Sequence, residues 1–101
     1  MKVTLHGAAG GEVTGSAYLV QTRDANVLVD LGLFQGSRSI ENYNHIPKKG
    51  AFTKLNAVVL THAHLDHTGR LPLLTKAGYN GPIYATPATI DFTDLILRDS
   101  A

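Results

Sequence analysis

Cysteine is absent from the sequence, and no apolar run approaches the length of a membrane-spanning helix. Without cysteine the chain has neither disulfide bonds nor thiolate metal ligands. A spanning helix needs about 20 consecutive apolar residues, and no leader with a long apolar core follows Met1, so we expect a cytoplasmic protein. The formal net charge is only +1, and the charge balance therefore gives no indication of nucleic-acid binding.

The composition is typical of a soluble globular chain, with 44% hydrophobic and 17% charged residues. A length of 101 residues suffices for the core of one modest domain. The first half has the pattern of a β meander: residues 2–6 alternate polar and apolar side chains and predict a strand. Further strands are predicted within residues 16–22 and at residues 27–29, and a turn at residues 24–26 joins them into a hairpin.

The second half alternates strands with helices. Residues 57–60 form an apolar run short enough to be a strand that is buried on both faces, and residues 82–85 predict another short strand. Between them, Leu71 and Leu74 recur at helical spacing, and Gly78 is suited to end that helix. Strands that alternate with helices indicate an α/β (α+β) fold.

A last helix is predicted to begin at Thr86, as its cap, and Pro87, at its first position. Apolar residues recur along it at helical spacing and predict a stripe that packs into the core. The members of this stripe are Ala88, Phe92, Leu95 and Ile96.

Three histidines and an aspartate lie directly behind the apolar run at residues 57–60, namely His62, His64, Asp66 and His67. If the strand geometry continues, His62 and His64 leave the same face and can share one metal ion. Asp66 and His67 lie beyond the strand, where a tight turn can direct them at a second ion. Imidazole and carboxylate without thiolate suit zinc, with iron or manganese as alternatives. The other interpretation is a polar loop whose histidines only cap the next helix.

The segment from His62 to His67 has the His-x-His-x-Asp-His form of the metallo-β-lactamase fold superfamily, which the chain resembles. Other segments resemble the amino-terminal part of its RNA-processing branch, which carries a β-CASP domain and includes the cleavage and polyadenylation endonuclease. These segments are residues 7–9 and 12–16, residues 29–36 and residues 61–71. The likeness extends over essentially the whole chain.

The resemblance implies the amino-terminal part of a four-layered αββα sandwich. Since a complete domain of that family is considerably longer, we expect residues 1–101 to be an incomplete domain that lacks its remainder and any β-CASP domain. The resemblance also implies RNA phosphodiester hydrolysis at a site with two zinc ions. It assigns His62 and His64 to the first ion and Asp66 and His67 to the second, and Asp66 is in addition the candidate catalytic residue that orients the nucleophilic water.

Asp30 closes the third predicted strand, where a carboxylate is costly to bury without a partner. The resemblance places this aspartate beside residues 62–67, which are called the histidine loop below. There it can accept the outer N–H of a metal-bound imidazole or hold the backbone amides of the loop, and so fix the orientation of the ring. The alternative is an Asx turn that ends the strand.

The family resembled completes its metal shell with a later histidine and a later aspartate, but no histidine follows His67. The later acids are Asp91, Asp94 and Asp99, and none stands in a matching motif. Because an incomplete shell binds metal weakly, we expect the isolated chain to be inactive or nearly so. An incomplete sandwich also exposes apolar faces, and self-association is therefore expected.

Other polar features carry weaker indications. The glycine-rich residues 7–15 match no nucleotide-binding fingerprint, and tight turning is favoured over a phosphate cradle. The resemblance implies that Glu12 and Ser16 border the expected site. Lys48 and Lys49 can touch an RNA phosphate, although solvated surface is favoured. No role is predicted for His6 or His45, except that His6, at the end of the first strand, leaves a role at the mouth of the site open.

Three functions are compatible with these features. The first is an RNA-processing nuclease, and the second is a small-molecule metallo-hydrolase that acts on thioesters, lactones or β-lactams. The metal motif does not distinguish an RNA phosphodiester from a thioester, lactone or β-lactam, because metal-activated water can hydrolyse each of these bonds. The third is a non-catalytic binding or assembly fragment, which an absence of zinc uptake would favour.

Overall fold

The computed structural model describes residues 1–6, 15–32 and 54–100. Within these ranges the chain forms one five-stranded sheet and three helices. The strands are β1 (Lys2–Leu5), β2 (Tyr18–Gln21), β3 (Asn26–Val29), β4 (Ala57–Val59) and β5 (Ile83–Tyr84). The helices are α1 (Leu65–Thr68), α2 (Leu71–Lys76) and α3 (Pro87–Ser100). The mixed α/β class predicted from the sequence is confirmed.

The strands lie side by side in the order in which they occur in the chain. β1, β2 and β3 pair antiparallel, whereas β4 pairs parallel with both β3 and β5. The register aligns Leu19 with Leu28 and Leu28 with Val58, so these three side chains form one row across the sheet. All three are buried and belong to the core cluster, together with Leu71 and Leu74 of α2.

The opposite face of the sheet is open in the part of the chain that the structure describes. Val3 is 53% exposed, Leu5 is 49% exposed and Val59 is 36% exposed. The prediction that β4 is buried on both faces is therefore wrong, because α2 covers only the face of Val58. A continuous apolar run indicates that both faces of a strand are suited to burial. It does not indicate whether the described part of the chain contains an element that packs on the second face.

The hairpin of β2 and β3 is confirmed. At its turn, the Thr22 backbone N–H donates to the Ala25 carbonyl at 2.8 Å. The Thr22 hydroxyl oxygen accepts from the N–H groups of Asp24 and Ala25 at 3.3 and 3.0 Å. A hydroxyl that bonds to nearby backbone in this way favours a turn over continued strand.

Two helices follow β4. The predicted helix over Leu71 and Leu74 is confirmed as α2, which buries both side chains and has a proline in its first turn. It is followed by Gly78 at φ +111°, a conformation that glycine adopts without the steric cost of a side chain. The separate single turn α1 was not predicted from the sequence.

Helix α3 begins as predicted: Pro87 is its first residue, and the Thr86 hydroxyl accepts from the Thr89 N–H at 3.2 Å. Its predicted buried stripe is wrong. Phe92 is 59% exposed and Leu95 is 64% exposed, whereas Thr93 is buried. Apolar spacing identified an amphipathic surface but not the side that faces the core. In the described ranges, no helix is both long and apolar enough to cross a bilayer.

Candidate metal centre

The imidazole rings predicted to bind metal lie together just beyond the end of β4. The ring centroids of His62 and His67 are 3.7 Å apart, and those of His62 and His64 are 5.1 Å apart. Regular strand geometry is not the cause, because β4 ends at Val59. Instead, His64 has an extended backbone at φ −63° and ψ 149°, and the turn of α1 that follows returns His67 to His62.

Helix α1 is fixed by bonds to the residues that precede it. The His64 carbonyl accepts from the N–H groups of His67 and Thr68 at 2.9 and 3.1 Å. The fully buried Thr68 also donates its hydroxyl hydrogen to this carbonyl at 3.1 Å or to the Ala63 carbonyl at 3.2 Å. The histidine loop is therefore held by its own backbone.

Asp30 is the group that ties this loop to the sheet. Its carboxylate is 2% exposed and accepts three hydrogen bonds. The Thr61 N–H donates to Oδ1 at 2.8 Å, the Thr61 hydroxyl donates to Oδ2 at 2.6 Å, and Nδ1 of His67 lies 2.7 Å from Oδ2. The structure thus brings Asp30 into contact with both the backbone and an imidazole of the loop.

The backbone of Asp30 supports this position. Its φ is +63°, in the left-handed region that aspartate and asparagine enter more readily than most residues. Its N–H donates to the Val59 carbonyl at 2.9 Å, so the pairing of β3 with β4 extends one step past the end of β3. This left-handed residue turns the chain and places the carboxylate over the end of β4.

Two backbone bonds join Leu31 to α1 and to Arg70, the residue that precedes α2. The Leu31 N–H donates to the His67 carbonyl at 2.8 Å, and the Arg70 N–H donates to the Leu31 carbonyl at 3.0 Å. Leu31 is itself completely buried. The position of His67 therefore depends on the core as well as on Asp30.

Arg70 is a buried cation behind the histidine loop, 3% exposed. Its Nε donates to the Gly32 carbonyl, and its Nη2 lies 3.5 Å from the Gly15 carbonyl. Burial lowers the pKa of Arg70 to about 10. The guanidinium thereby links Gly15, which precedes β2, and Gly32, which follows β3, to the end of the histidine loop.

Thr61 and Arg70 are functional candidates for which no role was predicted from the sequence. A hydroxyl directly before the first histidine was one available signal for Thr61. For Arg70, the signal was a long cation that opens the apolar helix α2 between Gly69 and Leu71. Neither signal specifies Asp30 as a partner of Thr61, or Gly15 and Gly32 as partners of Arg70, because these residues are 31 to 55 positions away in the chain.

Two further residues considered in the sequence analysis, His6 and Ser16, lie in the described part of the chain. The backbone N–H of His6 donates to the Ala17 carbonyl at 2.8 Å. Burial, and to a smaller extent the charge of Arg70, lower the pKa of His6; its role at the mouth of the site stays a prediction. Ser16 is buried, and its carbonyl accepts from the Gly32 N–H at 2.8 Å. Glu12, His45, Lys48 and Lys49 lie outside the described residues.

The chemistry of these donors fits a metal ion. An imidazole held by a buried carboxylate, as His67 is by Asp30, is the usual arrangement of a histidine ligand in metal sites. Asp66 lies in α1, but its side chain is outside the described part. Among the described side chains, no three potential ligands form a ready-made site.

Comparison with known families gives one matching model, described as the metallo-beta-lactamase superfamily, over residues 10–100. Among curated proteins, the chain is 48% identical over 100 residues to ribonuclease TTHA0252 of Thermus thermophilus. It is 42% identical over 95 residues to the transcription termination factor FttA of Methanosarcina mazei. It is 38% identical over 96 residues to the Integrator complex subunit 11 homolog of Dictyostelium discoideum.

These alignments cover 99%, 91% and 90% of the chain but only 22%, 15% and 13% of the three relatives. The chain therefore spans less than a quarter of the length of each. The predicted resemblance to the RNA-processing branch is confirmed by these relatives.

Solved structures show the same fold. The metallo-beta-lactamase fold protein YhfI from Bacillus subtilis superposes with a TM-score of 0.59 at 32% identity, over 88% of the chain and 38% of YhfI. A Cronobacter sakazakii metallo-β-lactamase with a HARLDQ motif gives a TM-score of 0.55 at 19% identity, over 90% of the chain and 34% of that structure. The second likeness supports the fold alone.

Proposed function

The chain belongs to the metallo-β-lactamase superfamily, and on that premise we propose that it carries the metal-binding segment of an RNA-processing nuclease. The observation that carries the proposal is the proximity of the His62 ring to the rings of His64 and His67, with Asp30 hydrogen-bonded to His67. The RNA substrate class is supported by the relatives named as a ribonuclease and as transcription termination factors.

We propose zinc as the metal, with two ions in the complete site. His62 and His64 would hold one ion, and Asp66 and His67 the other. Imidazole and carboxylate donors without thiolate are compatible with this choice. When bound, such ions lower the pKa of water and stabilise negative charge on the attacked phosphate.

The residues of this chain would perform distinct tasks at that site. The three histidines bind, Asp66 binds and orients the attacking water, and Asp30 orients the ring of His67. Two protein ligands for each ion fall short of the three or four that zinc sites use. We therefore propose that residues 1–101 are an incomplete domain and that residues outside them complete the site. The 101-residue chain alone would then be inactive or nearly so.

A zinc titration of the chain tests the metal assignment. The variants His62→Gln and His64→Gln should each lose zinc affinity, whereas the matched control His6→Gln should bind zinc like the unchanged chain. Equal zinc binding by all three variants, or no zinc uptake by the unchanged chain, would contradict the proposal. Absence of zinc uptake would favour a non-catalytic fragment.

An assay on the parent protein tests the substrate class. We expect zinc-dependent cleavage of single-stranded RNA that His62→Gln abolishes. Hydrolysis of a thioester, lactone or β-lactam without RNA cleavage would instead identify a small-molecule hydrolase. Metal-dependent RNA cleavage by the purified 101-residue chain would contradict the proposed inactivity.

Self-association of the chain is also proposed. Val3 and Leu5 on the open sheet face and Phe92 and Leu95 on α3 are exposed apolar side chains, and such surface favours association in water. Gel filtration at several concentrations should give a concentration-dependent size, and Leu95→Lys should reduce it. A monomer at every concentration would contradict this proposal. The cytoplasmic location expected from the sequence stays a prediction.

A further inference from the structure

We propose that Thr61 is a positioning residue whose hydroxyl transmits the orienting effect of Asp30 to His62. Under this inference, Thr61 holds the proton of neutral His62 on Nδ1, so that Nε2 is the nitrogen available to a metal. The metal-binding consequence rests on the proposed function, but the position of the proton is independent of it.

The inference follows from the hydrogen-bond capacity of the three groups. The Thr61 oxygen lies 2.6 Å from Asp30 Oδ2 and 3.2 Å from His62 Nδ1. A threonine hydroxyl has one hydrogen to donate and two lone pairs with which to accept. An ionised carboxylate only accepts. The shorter contact therefore takes the hydroxyl hydrogen, and charge assistance strengthens that bond.

Once this hydrogen is committed to Asp30, the Thr61 oxygen can only accept from His62. The contact with His62 Nδ1 is then a hydrogen bond only if Nδ1 carries the proton. In neutral imidazole the other nitrogen, Nε2, holds the lone pair that a metal requires. Neutral histidine in water prefers the opposite tautomer, with the proton on Nε2, and Thr61 therefore reverses that preference.

The same carboxylate oxygen serves both rings. Asp30 Oδ2 lies 2.7 Å from Nδ1 of His67, so it orients His67 directly and His62 through Thr61. The two ring centroids are 3.7 Å apart, and their Nδ1 atoms contact two oxygens that are hydrogen-bonded to each other, Thr61 Oγ1 and Asp30 Oδ2. One buried carboxylate thus sets the proton position in two proposed ligands.

A purely structural role for Thr61 is the competing explanation. Its backbone N–H already donates to Asp30 Oδ1 at 2.8 Å, and the hydroxyl bond to Oδ2 is then only a second tether. Two substitutions separate the explanations. Thr61→Val keeps the shape and the backbone bond but removes the hydroxyl, whereas Thr61→Ser keeps both the hydroxyl and the backbone bond.

The first measurement is the tautomer of His62 in the metal-free chain. Long-range ¹H–¹⁵N correlation spectra, recorded at about two pH units above the ordinary histidine pKa, distinguish protonated from bare ring nitrogens. The His62 signals are assigned by their loss in His62→Gln. We expect the Nδ1–H form in the unchanged chain and in Thr61→Ser, and a shift toward the Nε2–H form in Thr61→Val. His67 should keep its Nδ1–H form throughout, because its bond to Asp30 is untouched.

The second measurement is zinc affinity by competition with a chelator. Loss of a group that orients a histidine ligand costs about 10–100-fold in metal affinity, and we expect that loss in Thr61→Val but not in Thr61→Ser. Urea unfolding of both variants establishes that each is folded when measured. If Thr61→Val is unfolded, the spectra of the unchanged chain and of Thr61→Ser still decide the position of the proton.

A bare Nδ1 on His62 in the unchanged chain would overturn the inference. Equal zinc affinity in Thr61→Val and Thr61→Ser would overturn it as well. A chain that takes up no zinc would contradict the proposed function, whereas the tautomer spectra would still test Thr61.

Discussion

The carboxylate of Asp30 and the ring of His67 are joined by a hydrogen bond of 2.7 Å across a separation of 37 residues. The carboxylate is 2% exposed and the ring 22% exposed, so the contact is largely shielded from water. A polar bond in such a place is costly to leave unmade. The pair therefore couples the stability of the loop to the position of a proposed metal ligand.

Replacement of Asp30 by asparagine should weaken both the stability of the fold and the binding of zinc. Asparagine tolerates the positive φ of residue 30, but its single amide oxygen cannot accept all three bonds. We expect a loss of about 1–3 kcal/mol in the free energy of unfolding and of about 10–100-fold in zinc affinity. Urea unfolding and chelator competition measure these losses. The exposed turn residue Asp24 supplies the control, Asp24→Asn, and equal behaviour of the two variants would refute the prediction.

Arg70→Met should destabilise the chain although methionine is apolar and of comparable length. The substitution leaves the Gly32 carbonyl, to which Nε donates, without that donor, at a cost of about 1–3 kcal/mol. Arg98→Met is the matched control: Arg98 pairs with Asp94 on the surface, with side chains 79% and 63% exposed. Such a pair on a helix contributes about 0.3–0.5 kcal/mol. Comparable unfolding midpoints for the two variants would argue against a structural role for Arg70.

Two leucine truncations test the corrected position of α3. Leu28 is completely buried in the sheet core and Leu95 is 64% exposed. Leu28→Ala should cost about 2–5 kcal/mol, whereas Leu95→Ala should change the free energy of unfolding by less than about 0.5 kcal/mol. Denaturant titration at a concentration where the chain is monomeric measures both. A large decrease in the free energy of unfolding of Leu95→Ala would instead support the buried stripe predicted from the sequence.

His6 should make the fold less stable in acid. Burial, and then the charge of Arg70, hold its pKa in the folded chain below the ordinary 6.5. As the pH falls through 6.5, the unfolded chain binds this proton before the folded chain does, so the free energy of unfolding decreases. His6→Gln removes that contribution, and between about pH 7.5 and pH 5 its stability should fall less than that of the unchanged chain. Equal pH dependence of the free energy of unfolding in the two proteins would refute the prediction.

Much of the architecture was predictable from local pattern. The alternation in residues 2–6, the turn chemistry near Thr22 and the cap at Thr86 each depend on neighbours in sequence. The structure has strands or a helix at each of these places. The prediction failed for Phe92 and Leu95, because their burial depends on what packs against α3 and not on their hydrophobicity.

The candidate site was likewise predictable only in part. The candidate ligands His62, His64, Asp66 and His67 were proposed from their spacing, because a metal motif is a matter of which donors occur within a few residues. The contact of Asp30 with these residues was expected only from the family resemblance, and the bonds made by Thr61 and Arg70 were not predicted. Thr61, Asp30 and Arg70 act on partners 31 to 55 residues away, and the pairing of β3 with β4 selects those partners. A chain encodes its donor groups locally, but the distances and proton positions that make a site arise only when separate strands are packed at one edge of a sheet.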